Sequence, residues 1–143
     1  MLTGEFRHTL DAKGRVFVPA KFRNDFGDRV VLAKSAGKYL AMYPEEDWAR
    51  FMEKHEIHGE TEDVTEIKRY YMSSAMPTEI DSQGRICICQ RHRNFAALEK
   101  NISFIGMTKY VEIWNAEILD EKAESFDIEK IKEKSRALHI GLY

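Results

Sequence analysis

Two cysteines in 143 residues, Cys87 and Cys89, are too few for a disulfide framework. Residues two apart on one strand share a face, but their geometry suits a local bridge poorly. Two thiolates alone are also too few for a structural zinc site. They read as reduced, small apolar residues of a cytosolic protein. No apolar run approaches the roughly 20 residues of a membrane helix, and the charged start MLTGEFRHTLDAKGR lacks the apolar stretch of a signal peptide. A G-x-S-x-G elbow and a phosphate loop are missing as well. His55 and His58 can share a helix face, but no further ligand cluster accompanies them and the pattern is not H-E-x-x-H. Asp11 and Asp81 as an acid/base pair would need a pocket and a third partner. The expectation is a soluble cytoplasmic protein that is not an enzyme, with no metal, no cofactor and no small-molecule substrate.

An overall excess of positive charge is lacking too, since the net charge is −2. Its distribution is uneven. Residues 1–24 carry Arg7, Lys13, Arg15, Lys21 and Arg23 against Glu5 and Asp11, a local +3. Residues 81–94 carry Arg85, Arg91 and Arg93 against Asp81, a local +2, which leaves −7 elsewhere. Such concentration is an electrostatic footprint for nucleic acid, although basic turns are also common solvated features.

Both basic segments begin with the same pattern, DAKGR at 11–15 and DSQGR at 81–85. The likeness extends beyond the pentapeptide. DAKGRVFVPAKFRN faces DSQGRICICQRHRN, matching Val16 with Ile86, Val18 with Ile88, Lys21 with Arg91 and Arg23 with Arg93. Further on, KYLAMYPEEDW faces KYVEIWNAEIL. An internal duplication constrains the architecture before any residue does.

Each half reads β-β-α-β-β-α. EFRHTL and RVFV alternate around the turn, with Val16 and Val18 on one face. Gly14 and Gly84 supply the positive φ, and Asp11 and Asp81 bond backbone N–H groups further along each loop. Pro19 opens a short helix, AKFRNDF, that Gly27 ends. VVLA and YLAMY are strands, and a helix follows with Trp48, Phe51, Met52 and His55 at i, i+3, i+4 and i+7. In the second half ISFIGM and YVEIW are strands, and Asn115 is the N-cap of AEILDEKAESF. A connecting helix over ETEDVTEIKRYYM places Val64, Ile67 and Tyr71 on one face. The tail DIEKIKEKSRALHIGLY is a polar helix with a thin Ile128/Ile131/Leu138 stripe, read as a solvated end in preference to a docking element. The fold class is therefore α+β. Each half is too small to bury its strand faces alone, so the halves pack about a pseudo-two-fold and leftover apolar surface drives association between chains. The expected divisions are a first repeat at 5–47, connecting helices at 48–75, a second repeat at 76–119 and a helical tail at 120–143.

The doubled D-x-x-G-R, the G-E-x-x-H-T-L at 4–10 and the V-P-A-K-F-R at 18–23 together resemble the MraZ family, over essentially the whole chain. That resemblance implies two repeats like the swapped-hairpin domains of AbrB and SpoVT, forming a small barrel with peripheral helices and a homo-oligomeric ring. It implies a regulator of the division and cell-wall gene cluster, usually a repressor, associated with the nucleoid. The implied partner is double-stranded DNA, bound at short G-containing direct repeats in the chain's own promoter. The implied binding loops run from Asp11 to Arg15 and from Asp81 to Arg85, with Arg15 and Arg85 as the main contacts. This chain departs from the family pattern in having Cys89 where a proline is usual after the second motif, and in answering Lys13 with neutral Gln83.

Two readings stand for Arg15 and Arg85. Each guanidinium can bridge guanine O6 and N7 or hold a phosphate, or it can brace its own turn against Asp11 or Asp81; the roles are compatible. Lys13 and Gln83 are loop tips suited to a phosphate or a base edge, or ordinary turn residues. Arg7, Lys21, Arg23, Arg91 and Arg93 are candidates for gripping the backbone, or plain surface charges. His8 and His92 read as packing or phosphate-adjacent. Two other functions remain in view: an antitoxin-type regulator bound by a protein partner, which a long acidic tail would favour, and a structural ring without sequence-specific DNA binding.

Overall fold

The computed structural model describes residues 1–54, 61–124 and 127–141. His55 and His58 lie outside the described residues, as does the end of the helix face predicted from Trp48 to His55. In the first half come β1 (Glu5–Thr9), β2 (Arg15–Phe17), α1 (Ala20–Phe26), β3 (Arg29–Lys34), β4 (Leu40–Pro44) and α2 (Glu45–Lys54). After α3 (Glu62–Ser74), the second half runs β5 (Met76–Glu79), β6 (Arg85–Cys87), α4 (Gln90–Phe95), β7 (Asn101–Gly106), β8 (Val111–Asn115) and α5 (Ala116–Glu124). A final helix, α6 (Ile128–Ala137), follows.

Local chemistry accounts for the ends of these elements. Thr61 caps α3 by accepting from the Val64 amide at 3.3 Å, and Glu62 and Asp63 sit in its first turn, where the helix dipole favours acids. Asn115 accepts from the amides of Glu117 and Ile118 and so caps α5, while its amide nitrogen donates to the Ala97 carbonyl at 2.7 Å. Gly27, at φ +68°, stops α1.

Six strands form one sheet in the order β1-β7-β8-β4-β3-β5, and β2 and β6 form a separate two-stranded ribbon. All these pairings are antiparallel. Exchanging each strand for its counterpart in the other half (β1 with β5, β3 with β7, β4 with β8) reads the same order backwards. β1 and β2, which flank the turn, do not form a ladder with each other: β1 runs along β7, and β2 along β6. The tight turn closes with Asp11 N–H to Arg15 C=O at 2.9 Å and Gly14 N–H to Asp11 C=O at 3.0 Å, and then the strands part to opposite layers. Pairing of the described strands defines a sheet and a ribbon, with β1 and β5 at the ends of the sheet.

The core lies between these two layers. Val30, Leu32, Leu40, Met42, Ile102, Phe104, Val111 and Ile113 face it from the sheet, Val16, Val18, Ile86 and Ile88 from the ribbon segments, and Phe22 and Phe26 from α1. A three-residue ladder is weak by itself. Burying the four aliphatic side chains of the ribbon segments contributes about 6–12 kcal/mol before entropy is counted, so packing holds the ribbon in place more than its hydrogen bonds do. Most of α3 stays exposed, and the predicted Val64/Ile67/Tyr71 stripe is only partly covered, with Ile67 42% exposed.

His92 on α4 is buried, with Nε2 2.7 Å from the Ser74 carbonyl at the end of α3 and, among the described residues, no hydrogen-bond partner for Nδ1. Burial pushes its pKa below the usual histidine value. The folded state thus favours the neutral ring, and the stability this gives is complete above the unfolded pKa and is lost as pH falls toward the folded one. The wild-type urea midpoint should drop between about pH 7.5 and about pH 5.5, and His92→Gln should flatten that drop; an equal drop in both would remove His92 from the account.

Candidate nucleic-acid interface

The two D-x-x-G-R segments fold into the same hydrogen-bonded loop. Oδ1 of Asp11 accepts from the amides of Lys13 (2.9 Å) and Arg15 (2.8 Å), and Oδ2 accepts from Arg15 Nε at 2.8 Å. In the second loop Oδ1 of Asp81 accepts from Gln83 and Arg85, both at 2.9 Å, and Oδ2 from Arg85 Nε at 3.1 Å. Gly14 and Gly84 take φ +81° and +85°, and their amides return to the carbonyls of Asp11 and Asp81. The backbone N–H of the arginine, followed by the other donors, holds each aspartate below the usual carboxylate range. Each loop thus reaches neutral pH with an ionised carboxylate at its centre and an ordered backbone around it.

Antiparallel pairing of β2 with β6 brings the loops side by side, although 70 positions separate them in sequence. Arg15 lies opposite Cys87, Val16 opposite Ile86, and Phe17 opposite Arg85. The contact is reciprocal: the Val18 amide donates to the Gly84 carbonyl (2.9 Å) and the Ile88 amide to the Gly14 carbonyl (2.8 Å). Alternation then sorts the side chains. Val16 and Ile86 point into the core, while Arg15, Phe17, Arg85 and Cys87 lie on the outer face. Arg15 and Arg85 are therefore diagonal neighbours on one surface, with the exposed loop tips Lys13 and Gln83 beyond them.

The Asp–Arg contact uses only one edge of each guanidinium. Nε is taken, and among the described residues Nη1 and Nη2 of Arg15 and Arg85 have no hydrogen-bond partner. The side chains are 35% and 22% exposed, so the Nη groups are oriented by the carboxylate and still reach solvent. Bracing the turn and offering a donor pair outward are compatible in this geometry.

Other candidate residues sit elsewhere. Arg23 packs under the opposite loop, where a methyl on Gly84 would stand 2.5 Å from its Cζ, and its Nε donates to the Val18 carbonyl at 3.0 Å. Arg93 occupies the equivalent position under Gly14, with Nε buried and without a hydrogen-bond partner among the described residues. These two arginines support the loops from below. Lys21 and Arg91 remain exposed, Lys21 with its Nζ 5.7 Å from the Phe6 ring centroid and Arg91 donating to the Ser73 carbonyl at 3.3 Å. Arg7 on β1 is engaged by the carboxylates of Asp120 and Glu5, which raise its pKa still further. His8 stands edge-on to Phe104, and burial lowers its pKa. Among the described residues no group of three or more His, Cys, Asp or Glu is placed to hold a metal ion.

Phe17 and Cys87 belong to the outer face and are not among the residues predicted from sequence. The signal was present in RVFV and RICI, because placing Val16 and Ile86 inward puts the next residue outward.

The family described as "MraZ protein, putative antitoxin-like" matches residues 1–70 and 72–139. A Transcriptional regulator MraZ from Thermoanaerobacter pseudethanolicus is 41% identical over 98% of this chain and 100% of its own length. Those from Caldanaerobacter subterraneus subsp. tengcongensis and Natranaerobius thermophilus are 39% and 40% identical, covering 90% and 87% of this chain and 90% of each relative.

Proposed function

The chain belongs to the MraZ family, and from that premise we propose that it is a transcriptional regulator that binds double-stranded promoter DNA through the β2–β6 ribbon and its two loops. The single observation that carries this is the pair of outward Nη edges on Arg15 and Arg85, each steered by an aspartate bound at Nε. A two-stranded ribbon fits the major groove, and an arginine there can span guanine O6 and N7. Lys13 supplies a phosphate charge and Gln83 a neutral contact; Lys21 and Arg91 flank the groove. Asp11, Gly14, Asp81 and Gly84 fix the loops, while Arg7, Arg23 and Arg93 act through the structure around them. The family's regulators are not enzymes.

In this reading residues 5–47 and 76–119 are two repeats of one DNA-binding unit, joined by 48–75 and followed by a tail at 120–143, and together they close into a small barrel-like body. One ribbon makes few phosphate contacts and binds weakly at physiological salt. Several copies in a ring would engage direct repeats together and turn weak contacts into avidity. Exposed apolar side chains support self-association: Ile67, Tyr70, Met72 and Met76 are 41–49% exposed. Occupying its own promoter, upstream of the division and cell-wall genes, the ring would repress by excluding polymerase. The protein acts at the nucleoid in the cytoplasm; no described helix is long and apolar enough to cross a membrane.

Fluorescence anisotropy across a salt series tests this reading. The duplex upstream of the chain's own gene should bind more tightly than a shuffled duplex, with log K falling by about 0.9 per phosphate contact for each tenfold rise in salt. Equal binding to both duplexes would remove sequence-specific DNA recognition and leave a protein partner as the better reading.

A further inference from the structure

Each outward arginine of the ribbon has a different neighbour across the ladder. Cys87 stands opposite Arg15, and Phe17 stands opposite Arg85. Directly opposed residues on one face keep their Cβ atoms about 4.5–5.5 Å apart, so a side chain at either position meets whatever the neighbouring arginine meets. Phe17 is 42% exposed, although the residues on either side of it in sequence, Val16 and Val18, are fully buried. The register forces this exposure: a shift by one residue would bury Phe17 and expose the two valines. An aromatic ring beside the Arg85 guanidinium adds nothing to a phosphate contact. It does match an apolar feature in the major groove, and the thymine 5-methyl group is the one that groove presents.

Resting on the DNA-binding reading above, we propose that Phe17 is a specificity-determining residue that contacts a thymine methyl beside the base pair met by Arg85. Cys87 is too small to reach equally far, so the two diagonal halves of the ribbon read unlike steps: an arginine with an apolar platform at one, an arginine nearly alone at the other. The duplicated loops are thereby made unequal by one residue on each strand. Burying one methyl is worth a factor of about four in affinity.

The test prepares the upstream duplex by amplification with dUTP in place of dTTP, which removes the thymine methyls and leaves the pairing edges intact. Wild-type protein should bind the uracil duplex about fourfold more weakly for each methyl that Phe17 contacts. Phe17→Ala should weaken binding to the thymine duplex and abolish the difference between the two duplexes, and Phe17→Leu should restore part of it. A wild type indifferent to the methyls, or a Phe17→Ala protein that still discriminates as wild type does, overturns the proposal. A changed sedimentation coefficient in Phe17→Ala also overturns it, assigning the ring to contact between chains. Arg15→Ala and Arg85→Ala, run beside these, separate the two levels. If both bind like wild type the ribbon is not the DNA interface; if they lose binding while methyl sensitivity is unchanged in Phe17→Ala, only the role of Phe17 falls.

Discussion

Replacing Arg15 with alanine should weaken binding to the upstream duplex by roughly 5- to 150-fold, the range of one lost bidentate arginine–guanine contact. Arg85→Ala should do the same. Each loss should be steeper in an assembly, because every chain in a ring loses the contact at once. The pattern of loss says what the arginine touches. If the guanidinium reads a base, the mutant loses its preference over shuffled duplex. If it holds a phosphate, binding weakens evenly on all sequences and the salt slope falls by about one. Thermal stability should stay close to wild type in both mutants, since partly exposed surface Asp–Arg pairs contribute little to folding, and the loop keeps its backbone bonds from Lys13 and Arg15 to Asp11. A mutant that melted far below wild type would instead show that the arginine holds the fold together. Its loss of DNA binding would then say nothing about recognition.

The second large effect is expected at the loop glycines. A methyl on Gly14 would stand 2.7 Å from the Ile88 carbonyl oxygen and 3.0 Å from Arg93 Cζ, at a φ of +81°. On Gly84 it would meet the Arg23 guanidinium at 2.5 Å, at φ +85°, and Arg23 could yield only by giving up its bond to the Val18 carbonyl. Gly27 also has positive φ, +68°, with ψ −134°, but among the described residues nothing stands within 4 Å. Gly27→Ala therefore measures backbone strain alone, about 1–3 kcal/mol. Gly14→Ala and Gly84→Ala add steric displacement and should cost about 2–4 kcal/mol each, read as a shift in urea midpoint. Because the Gly14 carbonyl accepts from Ile88 and the Gly84 carbonyl from Val18, damage to one loop should loosen the other. Amide exchange should speed up at Gln83 and Arg85 in Gly14→Ala, and at Lys13 and Arg15 in Gly84→Ala. Faster exchange confined to the mutated loop would mean that the two loops are independent units.

Much of the loop chemistry was legible in the residues. Aspartate at the first position, glycine at the fourth and arginine at the fifth specify the turn through local geometry, and the bonds from Asp11 and Asp81 follow that expectation. Helix ends were equally local: Asn115 and Gly27 act at the positions their chemistry indicates. The roles of Arg23 and Arg93 were not legible. Both read as candidates for gripping the DNA backbone or as plain surface charges, and only the crossing of the chain halves sets each beneath the other half's glycine. The exposure of Phe17 lay between these cases. Alternation implied it, but its importance depends on the residue facing it across the ladder.

The sequence by itself determined the two matching D-x-x-G-R loops, the alternating valines and isoleucines behind them and the order of helices and strands in each half. Each of these is set by residues within a few positions of one another. Tertiary structure alone decided that β2 pairs with β6 rather than with β1, so that Arg15 and Arg85 share one surface. The physical reason lies in burial. Neither three-residue strand can cover its own apolar face, and the four aliphatic side chains Val16, Val18, Ile86 and Ile88 leave water together only when the halves cross.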